Sequence, residues 1–115
     1  MTIQSAFFDG GVTQEMITYY GSRSGDASAI IVESAFVENY GRAFPGALGI
    51  DTDSKVAGLK KLADAIKQKG SKAILQIYHA GRMANPEYNG GHHPISASPV
   101  AALRDNAETP LEMTE

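Results

Sequence analysis

A helical pattern of apolar residues is the clearest feature of the chain. Over residues 54–69, apolar side chains recur every three or four positions and form one stripe, which comprises Val56, Leu59, Leu62, Ala63 and Ile66. Thr52 or Asp53 can cap the start of this segment, and Gly70 follows its last turn, where glycine commonly ends a helix. The pattern therefore predicts an amphipathic helix over 54–69.

Two apolar runs on either side of this helix predict strands. Residues 29–37 and 72–78 are rich in aliphatic residues, and each run is bounded by turn-forming residues. Such runs are typical of strands covered on both faces, as in a parallel sheet. A further apolar stripe after Thr13 predicts a helix over 13–23. The order strand, loop, helix, strand predicts a βαβ unit of an α/β fold.

Polar residues interrupt both predicted strands. Glu33 lies inside the first. Because an isolated buried carboxylate is unfavourable, Glu33 must be ion-paired or hydrogen-bonded if it is buried, and we expect a structural ion pair in preference to a direct chemical role. Gln76 lies inside the second, and its amide offers donors and an acceptor in one plane. That array suits a heterocycle edge with an N–H beside a C=O, such as the pyrimidine half of a flavin. A hydrogen bond from Gln76 to neighbouring backbone is an equally open interpretation.

The strand ends suggest where a ligand would bind. In parallel α/β sheets, ligands bind at the carboxyl ends of the strands. Ser34 is near the end of the first predicted strand, and Gln76 is near the end of the second. Ser34 is small, so either a flat ligand approaches its backbone N–H or it is a simple packing residue. We expect the two residues to share one rim of the sheet.

Composition excludes several classes of function. The net charge of −3 with no basic cluster argues against nucleic-acid binding. The absence of cysteine excludes disulfides and thiolate catalysis and is compatible with a cytoplasmic protein. The longest apolar run, 29–37, is too short to span a membrane, so we expect no membrane association. The spacing of His79, His92 and His93 matches no metal-binding pattern, so we expect no metal.

Several stretches resemble the old yellow enzyme family, in the family's order and over essentially the whole chain. The residues that carry the resemblance include the segments 31–35, 75–82, 95–100 and 109–114, and Leu75-Gln76-Ile77-Tyr78-His79-Ala80-Gly81-Arg82 is the most specific of them. The resemblance implies a partial (β/α)8 TIM barrel, roughly strands 2–3 with the end of strand 1. It also implies non-covalent FMN, reduction by NADH or NADPH, and hydride transfer to activated alkenes such as α,β-unsaturated carbonyl compounds.

The resemblance also assigns cofactor-binding residues, namely Met1, Thr2, Ser34 and Gln76. Thr2 would hydrogen-bond near the flavin C4 carbonyl, the backbone at Ser34 would touch the flavin, and Gln76 would bond its pyrimidine edge. His79 and Arg82 are assigned only a framework role in the adjoining loop. The resemblance places no catalytic residue in this chain, because the substrate-binding pair, either two histidines or a histidine and an asparagine, and the tyrosine proton donor would follow Glu115.

The end of the chain predicts an incomplete domain. Thr114 precedes an acid, which indicates a helix start where the sequence stops. We therefore interpret residues 1–115 as a single segment, the N-terminal part of an FMN-binding barrel, whose usual length is about 250 residues. Two alternatives remain. One is a non-catalytic truncated polypeptide that self-associates through open sheet edges. The other is a small open α/β binding module, flavodoxin-like in layering, although the chain has no phosphate-cradling glycine loop.

Overall fold

A computed structural model describes residues 2–114 and confirms the predicted helices and strands. The helices are α1 (Gln14–Ser22) and α2 (Val56–Lys67), and the strands are β1 (Ala29–Phe36), β2 (Leu48–Gly49), β3 (Lys72–Tyr78), β4 (Ile95–Ser96) and β5 (Leu111–Glu112). Short 3₁₀ turns span Asn39–Gly41, Asp53–Lys55 and Gly81–Met83. The predicted helix over 54–69 therefore begins as a 3₁₀ turn and becomes α-helical at Val56.

The main sheet is parallel and has three strands in the order β2-β1-β3. Because α2 lies between β1 and β3 in sequence and these strands pair in parallel, the three elements form the predicted βαβ unit. A separate parallel pair joins β4 to β5. The α/β fold class predicted from the hydrophobic pattern is therefore confirmed.

The hydrophobic core lies between the two helices and one face of the sheet. Its buried residues come from both helices and from β1 and β2, and they are Met16, Tyr20, Val32, Ala35, Leu48, Leu62 and Ile66. The start of α1 is capped as predicted, since the Met16 N–H donates to the Thr13 hydroxyl at 3.2 Å. Neither helix within the described part of the chain is long and apolar enough to cross a membrane.

The pairing of β1 with β3 contains an irregularity. Ile31 pairs with Ile74, and Ser34 pairs with Gln76. Between these two pairs the chain advances three residues along β1 but only two along β3. One extra residue therefore stands in β1, as in a β-bulge. The extra residue resets the alternation of side chains along β1. As a result Ser34 lies opposite Gln76, on the face of the sheet away from Ala35 and the helical core.

The prediction that residues 72–78 are buried on both faces is wrong for this chain. Within β3 only Ala73 and Tyr78 are partly buried, and Ile77 is 65% exposed. The reason is position, because β3 is an edge of the three-stranded sheet and α2 covers only part of its helix-side face. Gln76 is likewise exposed, so the expectation of a buried amide is not met here.

The chain termini differ from the sequence-based expectation. Residues 2–12 contain no strand, so the expected end of a first barrel strand is irregular chain in this structure. The short strands β2, β4 and β5 were not predicted, because two-residue strands carry no periodic pattern. Leu111 and Glu112 form β5, and Thr114 is not helical, while the following residue lies outside the described range.

Candidate functional site

Ser34 and Gln76 are direct partners across neighbouring parallel strands. Each residue lies two positions before the end of its strand, Phe36 for β1 and Tyr78 for β3. Ser34 is half-buried and Gln76 is exposed. The structure therefore brings together, at the carboxyl end of the sheet, two residues that the sequence could place only on the same rim.

The two residues together suit a flat polar ring. Gln76 offers a planar amide with donors and an acceptor, and Ser34 opposite it is small enough for a ring to approach the strand closely. They face away from the helical core, on the side that corresponds to the interior of a barrel. The hydrogen-bonding groups of Gln76 and the space left by the small Ser34 side chain suit the edge of an isoalloxazine ring.

Glu33 does not form the predicted ion pair. Its side chain is 1% exposed, and its carboxylate accepts hydrogen bonds from the N-terminal segment, which we define as residues 2–5. The backbone N–H groups of Ile3 and Gln4 donate to Oε2 at 3.1 and 2.8 Å. The expectation is wrong because hydroxyl and amide donors, which a charge pattern does not reveal, satisfy the carboxylate in place of a cation.

Thr2 is tied to the same carboxylate. Its hydroxyl donates to Glu33 Oε2 at 2.9 Å, and the residue is half-buried. This bond ties Thr2 to β1 at the residue that immediately precedes Ser34, the partner of Gln76. The other expected cofactor contact, Met1, lies outside the described residues.

His79 joins the loops that follow β1 and β3. Its Nε2 lies 3.0 Å from Glu38 Oε1, and its Nδ1 accepts from the Gly81 N–H at 2.9 Å. A backbone bond from the Ala80 N–H to the Gly41 carbonyl, 2.9 Å long, ties the same loops together. This geometry agrees with the framework role expected for His79. Arg82, expected to share that role, is exposed in the adjoining 3₁₀ turn.

A buried cation among aromatic rings lies beyond the same strand ends. Arg42 is 4% exposed, and its guanidinium carbon lies 5.0 Å from the centre of the Phe8 ring and 5.6 Å from that of Phe36. No described residue accepts a hydrogen bond from its Nη2. Burial raises the pKa of the nearby Tyr78 hydroxyl, although the charge of Arg42 acts in the opposite direction. The sequence pattern did not predict this cluster, because an arginine in a glycine-rich loop is usually exposed.

Metal ligands are not grouped in the part of the chain that the structure covers. Among residues 2–114, no three histidine, aspartate or glutamate side chains lie close enough to hold one ion. His93 instead lies 3.0 Å from the carboxylate of Glu108, and the His92 ring packs against Tyr40 with ring centres 4.0 Å apart.

Parallel α/β barrels bind their ligands at the carboxyl ends of their strands, which is where Ser34 and Gln76 lie. Comparison with known proteins identifies the particular family. Residues 1–115 match the NADH:flavin oxidoreductase / NADH oxidase family, and the chain belongs to that family.

Two relatives illustrate this membership. The chain is 90% identical to the NADH:acrylate oxidoreductase of Vibrio harveyi over 115 residues, which is 100% of this chain and 12% of that protein. It is 54% identical to the NADH:fumarate oxidoreductase of Klebsiella pneumoniae (strain 342) over 114 residues, which is 99% of this chain and again 12% of the relative. The chain thus spans about an eighth of the length of these two relatives.

A solved structure supports the fold. The old yellow enzyme homologue of Zymomonas mobilis superposes with a TM-score of 0.88 at 24% identity, over 99% of this chain and 34% of that one. The predicted partial (β/α)8 barrel is therefore confirmed, and the resemblance to the old yellow enzyme family was correct. At the level of the family, FMN and a nicotinamide reductant are confirmed as the cofactors. The flavodoxin-like alternative does not agree with this fold.

Proposed function

We propose that this chain is the flavin-contacting N-terminal part of a longer NADH-dependent oxidoreductase. Its family membership and its small share of the relatives' length support this proposal. The open edge of β3 supports it as well, since a barrel closes only when further strands pair there. The absence of cysteine supports the cytoplasm as the location.

The single observation that carries the proposal is the pairing of Ser34 with Gln76 at the carboxyl end of the sheet. In that position Gln76 would hold the pyrimidine edge of FMN through its amide, and Ser34 would allow the ring to approach the strand. Thr2 would contact the ring near C4, and Met1 would add a contact from the preceding residue. These residues bind and orient the cofactor, and none of them transfers a proton to the substrate.

FMN, when bound, would supply hydride transfer from NADH or NADPH to an activated carbon–carbon double bond. We propose α,β-unsaturated carbonyl compounds as the substrate class and, within it, small unsaturated carboxylates. The names of the two relatives, which refer to acrylate and fumarate, support this choice. The substrate-binding and proton-donating groups would come from parts of the longer protein outside this chain.

Replacing Gln76 with leucine tests the proposal in the full-length flavoprotein. We expect Gln76→Leu to raise the dissociation constant of FMN by roughly ten- to a hundredfold, because the lost hydrogen bonds leave polar groups of the ring unpaired. The matched control is Gln68→Leu, since Gln68 is an exposed glutamine at the end of α2, next to the opposite end of the sheet. Equal FMN affinity in the two variants would contradict the assignment of Gln76.

A second candidate function rests on the exposed side chains of β3. If the 115-residue chain exists alone, its apolar edge favours a non-catalytic polypeptide that associates with itself. The size of the protein in its source cell distinguishes the two candidates. A product of the relatives' length that binds FMN and oxidises NADH supports the enzyme, and a 115-residue product that binds no flavin supports the non-catalytic polypeptide.

A further inference from the structure

The N-terminal segment, residues 2–5, takes its shape from one buried carboxylate. Glu33 Oε2 accepts from the Thr2 hydroxyl at 2.9 Å and from the backbone N–H groups of Ile3 and Gln4 at 3.1 and 2.8 Å. Its Oε1 accepts from the Ser5 hydroxyl at 3.3 Å. The Glu33 side chain is 1% exposed, so water contributes little to its solvation. Hydrogen bonds to a buried charged acceptor are among the stronger ones in proteins.

This segment adopts a backbone that a short peptide would not hold by itself. Residues 2–5 belong to no helix or strand, and Gln4 has a φ of +55°, in the left-handed region. A non-glycine residue in that region is disfavoured, so the surrounding contacts must stabilise it. From Ala6 onward the chain is held differently, since the Ala6 N–H donates to the Gly46 carbonyl at 3.1 Å. Glu33 therefore holds residues 2–4, and it shares Ser5 with Thr13, whose hydroxyl donates to the Ser5 carbonyl at 3.0 Å.

The bond to Glu33 determines how Thr2 can act. A hydroxyl carries one hydrogen, and Thr2 donates that hydrogen to Glu33. Toward any other partner Thr2 Oγ1 is consequently an acceptor, and donation to a flavin carbonyl would require Thr2 to release Glu33. A reduced flavin ring has an N–H at a position where the oxidised ring has none, so an acceptor held beside it favours the reduced form.

We propose that Glu33 is a positioning residue for the flavin, which acts on the reduction potential through the orientation of Thr2. This inference rests on the proposed function, because it requires the flavin to lie beside Thr2. Glu33 itself is placed by its strand and by α1, since its backbone N–H donates to the Tyr20 hydroxyl at 2.8 Å. Through its backbone N–H and its carboxylate, Glu33 thus connects Tyr20 of the helical core to Thr2.

A double-mutant cycle in the full-length flavoprotein tests the inference. The variants are Thr2→Val, Glu33→Gln and the pair, and the readout is the flavin reduction potential. We expect Thr2→Val to lower the potential, and we expect this shift to fall to roughly half or less when Glu33 is already glutamine, because coupled residues are not additive. If the shift caused by Thr2→Val is the same in both backgrounds, Glu33 does not act through Thr2 and the inference is overturned.

Three further variants separate this role from a merely structural one. Thr2→Ser keeps the hydroxyl and should keep both the potential and its coupling to Glu33. Ser5→Ala removes only the bond to Oε1 and should leave the potential unchanged. If Glu33→Gln fails to fold, Glu33→Asp takes its place in the cycle, because it keeps the charge but shortens the reach.

Hydrogen exchange provides a readout that needs no turnover. In the flavin-free full-length protein, Glu33→Gln should speed amide exchange at Ile3 and Gln4 by roughly tenfold or more and leave Ala6 unchanged. Unchanged exchange at Ile3 and Gln4 would overturn the anchoring role. A third outcome is faster exchange in Glu33→Gln together with an unchanged reduction potential in Thr2→Val. That outcome would contradict the proposed contact between Thr2 and the flavin, and with it the effect of Glu33 on the potential.

Discussion

Gly41 lies directly against the imidazole ring of His79. A Cβ atom added to Gly41 would be 2.3 Å from His79 Cδ2, which is far inside van der Waals contact. The hydrogen bond from the Gly81 N–H to Nδ1 restrains the ring, and the Glu38 carboxylate lies 3.0 Å from Nε2. The close approach therefore joins the loop after β1 to the loop after β3, next to the candidate flavin site.

Replacing Gly41 with alanine should destabilise the protein. We expect Gly41→Ala to lower the free energy of unfolding by about 1–3 kcal/mol, because the added methyl group forces the His79 ring out of position. Urea unfolding of the flavin-free protein measures this change. The matched control is Gly21→Ala, because Gly21 is within α1 and an added Cβ would meet Ala65 Cβ at an ordinary 3.6 Å. That variant should be neutral or more stable by up to about 1 kcal/mol.

Tyr20 should make stability depend on pH in the alkaline range. Burial raises the pKa of its hydroxyl above the ordinary value of 10.0. The hydrogen bond from the Glu33 N–H acts in the opposite direction, and the charge of Glu33 adds a smaller rise. Above about pH 10 the unfolded chain therefore loses this proton before the folded chain does. The stability contribution is complete below that pH and is lost as the pH rises toward the folded-state pKa.

Substitution of Tyr20 isolates its contribution. Tyr20→Phe should lower stability by about 1–3 kcal/mol at neutral pH, since the buried Glu33 N–H loses its acceptor, and should also flatten the alkaline decline. Urea unfolding at neutral pH and above pH 10 measures both effects. Tyr19→Phe, at a residue that is 38% exposed, should change stability by less than about 0.5 kcal/mol. An alkaline decline of equal slope in Tyr20→Phe and the unmodified protein would refute the assignment.

The exposed edge strand should cause the 115-residue chain to associate when it is produced alone. Ile77 is 65% exposed in β3, and a charge there should oppose edge-to-edge pairing. We expect sedimentation to show concentration-dependent association that Ile77→Lys reduces. Leu103→Lys is the control, because Leu103 is a fully exposed apolar residue outside every strand. Equal association in the two variants would show that β3 is not the contact.

Local sequence pattern was sufficient for the long elements of the fold. The apolar stripe of α2 and the aliphatic runs of β1 and β3 each span several residues. These patterns can therefore be recognised in the sequence without knowledge of the tertiary structure. The pairing of Ser34 with Gln76 was partly predictable, since parallel strands bring their carboxyl ends to one edge. The register of this pairing could not be predicted, because no feature of the local sequence indicates the extra residue in β1.

The partners of Glu33 could not be predicted for a different physical reason. An acid inside an apolar run signals that something must satisfy it, and that inference was correct. The donors are backbone amides and hydroxyls of the N-terminal segment, and every residue except proline carries such an amide. Only the fold specifies which of them reach the carboxylate. The exposure of β3 could not be predicted either, because the sequence of an aliphatic strand does not indicate whether the strand lies at the edge or at the centre of a sheet.

The irregular pairing of β1 with β3 restricts changes in the length of β1. Removal of one residue between positions 31 and 34 would give the two strands a regular register and turn either Ile31 or Ser34 to the opposite side. Insertions and deletions should therefore accumulate in the neighbouring loops, while this strand keeps a constant length among homologues. A designer who transplants these two strands into another barrel must transplant the extra residue with them.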